Sequence, residues 1–487
     1  MVRRLLSPSR VLAAIAVAAA CLWPAAPVLA GQQQTCGGTG SVSTLNGTLG
    51  DGATYLIQCP SGTWNGTLFL YSHGYVEPGG SNPAEDVGDP VTGGWLLSHG
   101  YALAGSSYAS TGWAIKQALP DQISTLDVFD SSYGRPAHTI AWGHSLGGII
   151  TAGLIQRYPR RFSAAMPMCG VLSGGVATWN VALDAEVAFQ QLIDPSVQVV
   201  DISNPETNLE GAEAAATAAQ ATPQGRARIA LGAALGDTPG WFTPLSAEPG
   251  KYAFGAQEQN QYLWDTQVDF PFVFAFRAQL EAVAGGNPSW TTGVNFARLV
   301  RQSPDYAEVV RLYKRAGLSL RKDLRTLNKA PRVGPDPAAV LYLSRNISFN
   351  GRISVPVLSM HTTGDGLVIP ENEQAYKKVV DRAGNGRLLR QIFVHRAGHC
   401  AFTPAETIAA VKVLLRRLST GKWDSQALRP GRLNAAAAAL GPDYNIFTAQ
   451  GPTCPGGITP VDGVCPTAPA FTHYSPPRYP RPYFLRR

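Results

Sequence analysis

Charge is scarce in this sequence: only 15% of its 487 residues are Asp, Glu, Lys or Arg, against 45% hydrophobic. So few charges exclude a coiled-coil rod, and so large an apolar fraction excludes an intrinsically disordered chain. The basic surplus is also small, +7, and Arg3, Arg4 and Arg10 supply three of those charges from an N-terminal leader. A surplus of that size is no footprint for nucleic-acid binding. After residue 30 no apolar run approaches the roughly 18 residues of a membrane helix, so no membrane span is expected. There is no Cys-x-x-Cys pair, which argues against a zinc site. Metal, nucleotide and flavin motifs are missing as well, so no cofactor is expected, and no internal repeat is visible.

What is present begins with an address. Residues 1–30 read as a signal peptide: a basic stretch, an uncharged apolar run from Val11 to Trp23, and Val28-Leu29-Ala30 ending in a small residue. The alternative, a membrane anchor, would need a longer run. Arg3-Arg4 resembles a twin-arginine signal without the preceding Ser or Thr, and Cys21 is poorly flanked for a lipid-attachment site. The protein is therefore expected to be secreted and extracellular. Removing Cys21 leaves six cysteines, an even number that suits disulfides in an exported chain. Two pairings are local: Cys36 with Cys59, and Cys454 with Cys465.

Strand and helix patterns then alternate. Tyr55–Gln58 and Thr67–Tyr71 are β-rich and flank Asn65-Gly66, a pair that favours a type I′ hairpin turn. A helix ends at Trp95–Ser98, stopped by Gly100, and Tyr101–Gly105 reads as a buried strand. His138–Trp142 is a short apolar strand, Leu146–Tyr158 has helical spacing, and Phe162–Met168 is a further strand. This rhythm indicates a mostly parallel sheet covered on both faces by helices. It stops after Gly175. Residues 176–350 hold Ala-rich helical stretches and the aromatic run Phe270–Phe276, and they read as an inserted helical cap. The rhythm resumes with strands at Val355–Leu358 and Arg390–His395. Thr403-Pro404-Ala405-Glu406 is a capping box opening a helix with Ile408, Val411, Leu414 and Leu418 on one face. The expected organisation is an α/β core of residues 31–175 and 351–425, the cap at 176–350, and an irregular extension at 426–487.

The chemistry centres on Gly143-His144-Ser145-Leu146-Gly147. The bare G-x-S-x-G pattern is weak, but here it falls where a strand ends and a helix begins, which is the context it needs. A Cβ at 143 or 147 would collide with neighbouring backbone, and the turn exposes Ser145 at a helix N-terminus. A serine hydroxyl needs a base. Of the eight histidines, His399 follows the last strand on a loop that can return over the sheet. His395 competes but ends the strand itself, where packing or a hydrogen bond would occupy it. The base needs an acid to orient it. Asp365 follows the strand that begins at Val355, between Gly364 and Gly366, with Glu371 and Glu373 as substitutes. The oxyanion donors are expected to be the backbone N–H groups of Leu146 and of Tyr75, the latter in Ser72-His73-Gly74-Tyr75, with His73 as a support.

These residues resemble the α/β-hydrolase superfamily over 54–174 and 352–420. The resemblance implies Ser145 as nucleophile, Asp365 and His399 completing the triad, and the Leu146 and Tyr75 amides as oxyanion hole. His399-Cys400 is also similar to a feature of the tannase and feruloyl-esterase group, where a second cysteine precedes the serine; here His144 stands there instead. On that likeness Cys169, at the end of the strand after the nucleophile helix, is the expected partner of Cys400. A secreted serine hydrolase acting on a small-molecule or polymeric carboxylic ester is the first reading. A peptidase or amidase with the same triad is the second, and a non-catalytic binding module on the same fold the third. Aromatics around Trp113, Trp179 and Phe270–Phe276 suit either an apolar substrate or simple core packing. The sequence carries no signal of oligomeric state.

Overall fold

A computed structural model describes residues 34–448 and 464–484; the expected signal peptide and Cys454 lie outside them. Eleven strands are formed among the described residues: β1 (Ser43–Thr48), β2 (Thr54–Cys59), β3 (Thr67–Ser72), β4 (Ala102–Ser106), β5 (His138–His144), β6 (Ala164–Met168), β7 (Val357–Gly364), β8 (Leu389–Ala397), β9 (Ile446–Thr448), β10 (Val464–Pro466) and β11 (Phe471–Thr472). Nine of them make one sheet in the order β1-β2-β4-β3-β5-β6-β7-β8-β11, and β9 pairs with β10. From β4 to β8 the neighbours run parallel, with helices against both faces. β3, β4 and β6 are buried along their whole length, which is why they read as continuous apolar runs rather than alternating ones. This is the α/β-hydrolase sheet.

The hairpin expected around Asn65-Gly66 does not exist. Gly66 does take a positive φ of 84°, but β2 pairs with β1 and β4 while β3 pairs with β4 and β5. The turn instead carries the chain from the antiparallel side into the buried centre, because β3 is apolar on both faces. Two elements have no counterpart in the sequence reading. β1 alternates half-buried and exposed residues, but Leu45 is its only large apolar side chain. The helix Ile115–Tyr133 contains Pro120 and buries Asp121, Gln122 and Thr125 beside Leu119, Leu126 and Phe129, so its inner face has no clean apolar period. β7 starts at Val357 rather than Val355 and runs on to Gly364; Pro356, lacking an N–H, stands just before its start.

Between β6 and β7 the described residues form helices and no strand, from Gly175–Leu192 to Pro337–Arg345. They enclose an apolar centre of their own that includes Leu231, Phe274, Phe296 and Leu327. Asp265–Asp269 and Pro271–Phe276 wind as π-helix. The helix Pro404–Thr420 opens with the expected capping box, Thr403 and Glu406 bonding each other's backbone N–H at 2.9 and 3.1 Å. Such a cap contributes about 1 kcal/mol.

Where the sequence reading expects an irregular extension, the described residues after 425 carry regular elements. They hold the helix Pro430–Ala438 and the β9–β10 pair, and β11 adds antiparallel to the edge of β8. Asn434 secures β11 by bonding both the N–H and the C=O of Phe471 (2.7 and 3.0 Å). A two-residue strand shows no periodicity, so only tertiary pairing reveals it. The chain then crosses to the helical insertion, where Arg481 meets Asp184 at 2.8 and 3.0 Å and the Trp290 carbonyl at 3.0 Å.

Candidate active site

Ser145 stands between β5 and the helix Leu146–Arg157 with φ 56° and ψ −120°. A non-glycine residue there is strained, and the surroundings hold it: its N–H donates to the Met168 carbonyl (3.0 Å) and its carbonyl accepts from Gly148 (2.9 Å). The flanking glycines are obligatory. A Cβ on Gly143 would lie 2.3 Å from the Ser72 carbonyl oxygen, and one on Gly147 only 1.9 Å from the same atom. Leu146, the first residue of the helix, presents one of the N–H groups that lack an intrahelical acceptor.

Asp365 directly follows β7 and is fully buried. Its Oδ1 accepts from the Val368 N–H (2.9 Å), and its Oδ2 faces His399 Nδ1 at 2.8 Å. Burial pushes this carboxyl up, but the neighbouring His399 and His361 together outweigh it and hold the group below its ordinary value. His399 sits on a tightly pinned loop. Gly398, at φ 100°, donates to the Gly364 carbonyl (3.0 Å) and accepts from the Thr362 hydroxyl (2.8 Å). Arg396 forks onto Glu406 (2.6 and 3.0 Å) and reaches the Ala401 carbonyl (2.7 Å). Both ends of that ion pair are buried, so breaking it by removing one partner would cost about 3–5 kcal/mol. Cys400 is disulfide-bonded to Cys169, as Cys36 is to Cys59. With Cys454 outside the described residues, the pairing expected for Cys465 is not part of this geometry.

Asp365 and His399 are therefore together, and the disulfide joins their loop to the end of β6, whose Met168 carbonyl holds Ser145. Among the described residues no hydrogen bond links Ser145 to His399; His399 Nε2 lies 3.4 Å from Cys400 Sγ. In unliganded hydrolases the contact between nucleophile and base is often loose and tightens around substrate. His395 ends elsewhere: its side chain is half exposed and faces Glu248 at 3.3 Å. His144 is partly buried against the Tyr71 hydroxyl (3.0 Å), and desolvation, with nearby His399, lowers its pKa to about 4. Neither substitute acid replaces Asp365. Glu371 is buried with its pKa pushed up to about 7, and Glu373 faces His361 instead (3.2 Å).

Ser145, Leu146 and Tyr75 line one cavity of about 170 Å³. Gly74 brings the Tyr75 loop alongside, since a Cβ there would stand 3.7 Å from that of Ser145. His73 braces the loop between the Ser107 and Gly74 carbonyls (3.0 and 2.9 Å) and stacks on Tyr108. Trp113, Trp179, Phe270, Phe272 and Phe274 furnish aromatic walls, so these side chains serve the cavity as well as the core. Sequence reasoning passed over two acids on the π-helical turn, Asp265 and Asp269, which also face the cavity. Burial pushes Asp265 up to about 8 and Asp269 well above its ordinary value. It passed over His361 too, buried beside Asp365. Cys169, His399 and Cys400 have the spacing of a metal site, but both sulfurs are spent in the disulfide.

No family model matches the chain. Among solved structures it is similar to the rice cell-wall-degrading esterase LipA of Xanthomonas oryzae, at 13% identity and TM-score 0.34 over 80% of this chain and 91% of that one. It is likewise similar to feruloyl esterase B of Aspergillus oryzae, at 10% identity and TM-score 0.35 over 78% and 80%. A curated relative stands much nearer: an o-phthalyl amidase of Xanthobacter agilis, 30% identical over 426 residues, 81% of this chain and 90% of the relative. This chain belongs to the family of that amidase, within the α/β-hydrolases.

Proposed function

We propose that the protein is a serine acyl hydrolase that forms an acyl-enzyme on Ser145. His399 takes the serine proton and later returns it to the leaving group, while Asp365 fixes the Nδ1–H tautomer and offsets the imidazolium charge. The amides of Leu146 and Tyr75 stabilise the oxyanion. The helical segment 176–350 acts as a cap over the α/β core, and its aromatic walls favour an aromatic acyl group. The observation that carries this reading is the strained Ser145 opening onto that cavity, with the Asp365–His399 pair tied to the same sheet end through Cys169 and Cys400.

Carboxylic esters are one substrate class for this machinery. The amide reading gains from the relative, whose name states amide cleavage. Both bonds pass through the same tetrahedral intermediate, and they differ in the leaving group that must be protonated. We further propose export, with residues 1–30 removed; two disulfides fit that route, and no helix among the described residues is long and apolar enough to cross a membrane. The test pairs an anilide with a p-nitrophenyl ester of the same aromatic acid and labels the protein with a fluorophosphonate. Labelling at Ser145, lost together with turnover in Ser145→Ala, is the expected result. A binding module would neither label nor turn over, and anilide cleavage at a rate comparable to the ester would make it an amidase.

A further inference from the structure

Behind Asp365 lies a second layer of polar groups with no part in the triad. Ser359 and His361 share one face of β7 and meet Glu373, in the first turn of the helix Glu371–Arg382. All three are buried, each with no more than about 1% of its surface exposed. The Ser359 hydroxyl and the Gln391 side-chain amide both donate to Glu373 Oε2, and Gln391 also bonds the Glu373 carbonyl at 2.9 Å. Oε2 thus serves as an acceptor twice over, at a helix N-terminus whose dipole favours negative charge. Its other oxygen, Oε1, faces His361 Nδ1 at 3.2 Å. On the far side of the ring, Nε2 meets the Val368 carbonyl at 2.7 Å and Asp365 Oδ2 at 3.6 Å.

The protonation of this ring follows from its partners. A carbonyl can only accept, so Nε2 carries a proton; an ionised carboxylate can only accept, so Nδ1 carries one too. We propose that His361 is a positioning residue: a doubly protonated imidazolium clamped between Glu373 and the Asp365–Val368 loop, which keeps the Asp365 carboxylate ionised and aimed at His399. The inference rests on the triad reading above. Asp365 has no exposure to water, and an isolated buried carboxylate would take up a proton and stop accepting from His399. Burial lowers the His361 pKa, but Asp365 and Glu373 outweigh that and raise it to about 10. The titratable groups around His361 are Asp365 after β7, Glu373 and Glu371 on the helix above, and His399 across Asp365.

Two measurements test it on the whole protein. Nitrogen-15 NMR of the wild type should show a histidine whose two ring nitrogens both stay protonated from pH 5 to 8.5 and whose signal is missing from His361→Gln. The second is the acid limb of kcat/KM in the paired variant His361→Gln/Glu373→Gln, which removes both members of the buried His361–Glu373 pair. Losing the positive charge that faces Asp365 should alter the Asp365–His399 pair and displace the limb by about half to one pH unit. A purely structural pair would lower Tm and leave the limb in place. A neutral His361 ring at pH 7, or an unmoved limb in the folded variant, overturns the proposal. The triad reading fails separately, by a wild type that has no acid limb and no label on Ser145.

Discussion

Removing the Cys36–Cys59 and Cys169–Cys400 disulfides one at a time should separate stability from activity. Cys36–Cys59 closes 23 residues and Cys169–Cys400 closes 231. Chain entropy alone then assigns the first about 3 kcal/mol and the second about 5 kcal/mol, through restriction of the unfolded state. Replacing each pair by alanines should therefore lower urea stability in that order, by amounts differing by about 2 kcal/mol. Activity should behave differently. The first bridge anchors the segment before β1 to β2, remote from Ser145, and its loss should leave kcat/KM of the folded protein within about twofold of wild type. The second holds the backbone that presents His399, and a misplacement near 1 Å costs about 10²-fold. The assay is urea denaturation alongside initial rates at a urea-free pH where both variants remain folded. Equal rates for the two folded variants, or a larger stability loss from the shorter loop, would refute the reasoning.

Three further outcomes are expected. His399→Ala should lose at least about 10³-fold in rate, whereas His395→Ala, half exposed and bound to Glu248, should stay within a few-fold; dead His395→Ala with active His399→Ala would reverse the assignment. Gly147→Ala should be destabilised by about 3 kcal/mol or more, because the new methyl meets the Ser72 carbonyl at 1.9 Å. Gly153→Ala in the same helix meets only side chains, the nearest at 3.2 Å, and should melt within about 1 kcal/mol of wild type. Stability should fall as pH rises from 6 to 9: Glu371, Asp265 and Glu308 have pKa values raised to about 7, 8 and 9. A raised carboxyl binds a proton folded but not unfolded, so its contribution is present below about pH 4 and disappears through the folded value. His361 acts in the same sense between about 6.5 and 10. A melting temperature that climbs over this range would contradict those shifts.

The parts of the site that could be read from the sequence were those written in local chemistry. Gly143 and Gly147 announce a turn in which a Cβ cannot fit, and the strand before and helix after need only short windows. Asp365 and His399 each follow a strand closely, and sheet ends are where an α/β fold collects its functional loops. What stayed hidden depends on distant pairing. β1 has one large apolar residue and exists because β2 offers it an edge. The inner face of Ile115–Tyr133 satisfies polar groups against β3, with Gln122 bonding Ser72 at 3.0 Å, so its helical period is masked. His361 looks like any strand residue until Glu373 is placed above it by a helix from another layer.

The C-terminal strap has a consequence for how the molecule comes into being. Tyr479 forms part of the cavity wall, and Arg481 pairs with Asp184, a residue 297 positions earlier. While the chain is still emerging, Asp184 lacks its Arg481 partner and the cavity wall lacks Tyr479. Contacts so distant in sequence form late, because a long loop must close before they return any energy. A chain that has passed through Ser145, Asp365 and His399 would still be an unfinished vessel, its cavity wall completed only when Tyr479 and Arg481 lie down across it.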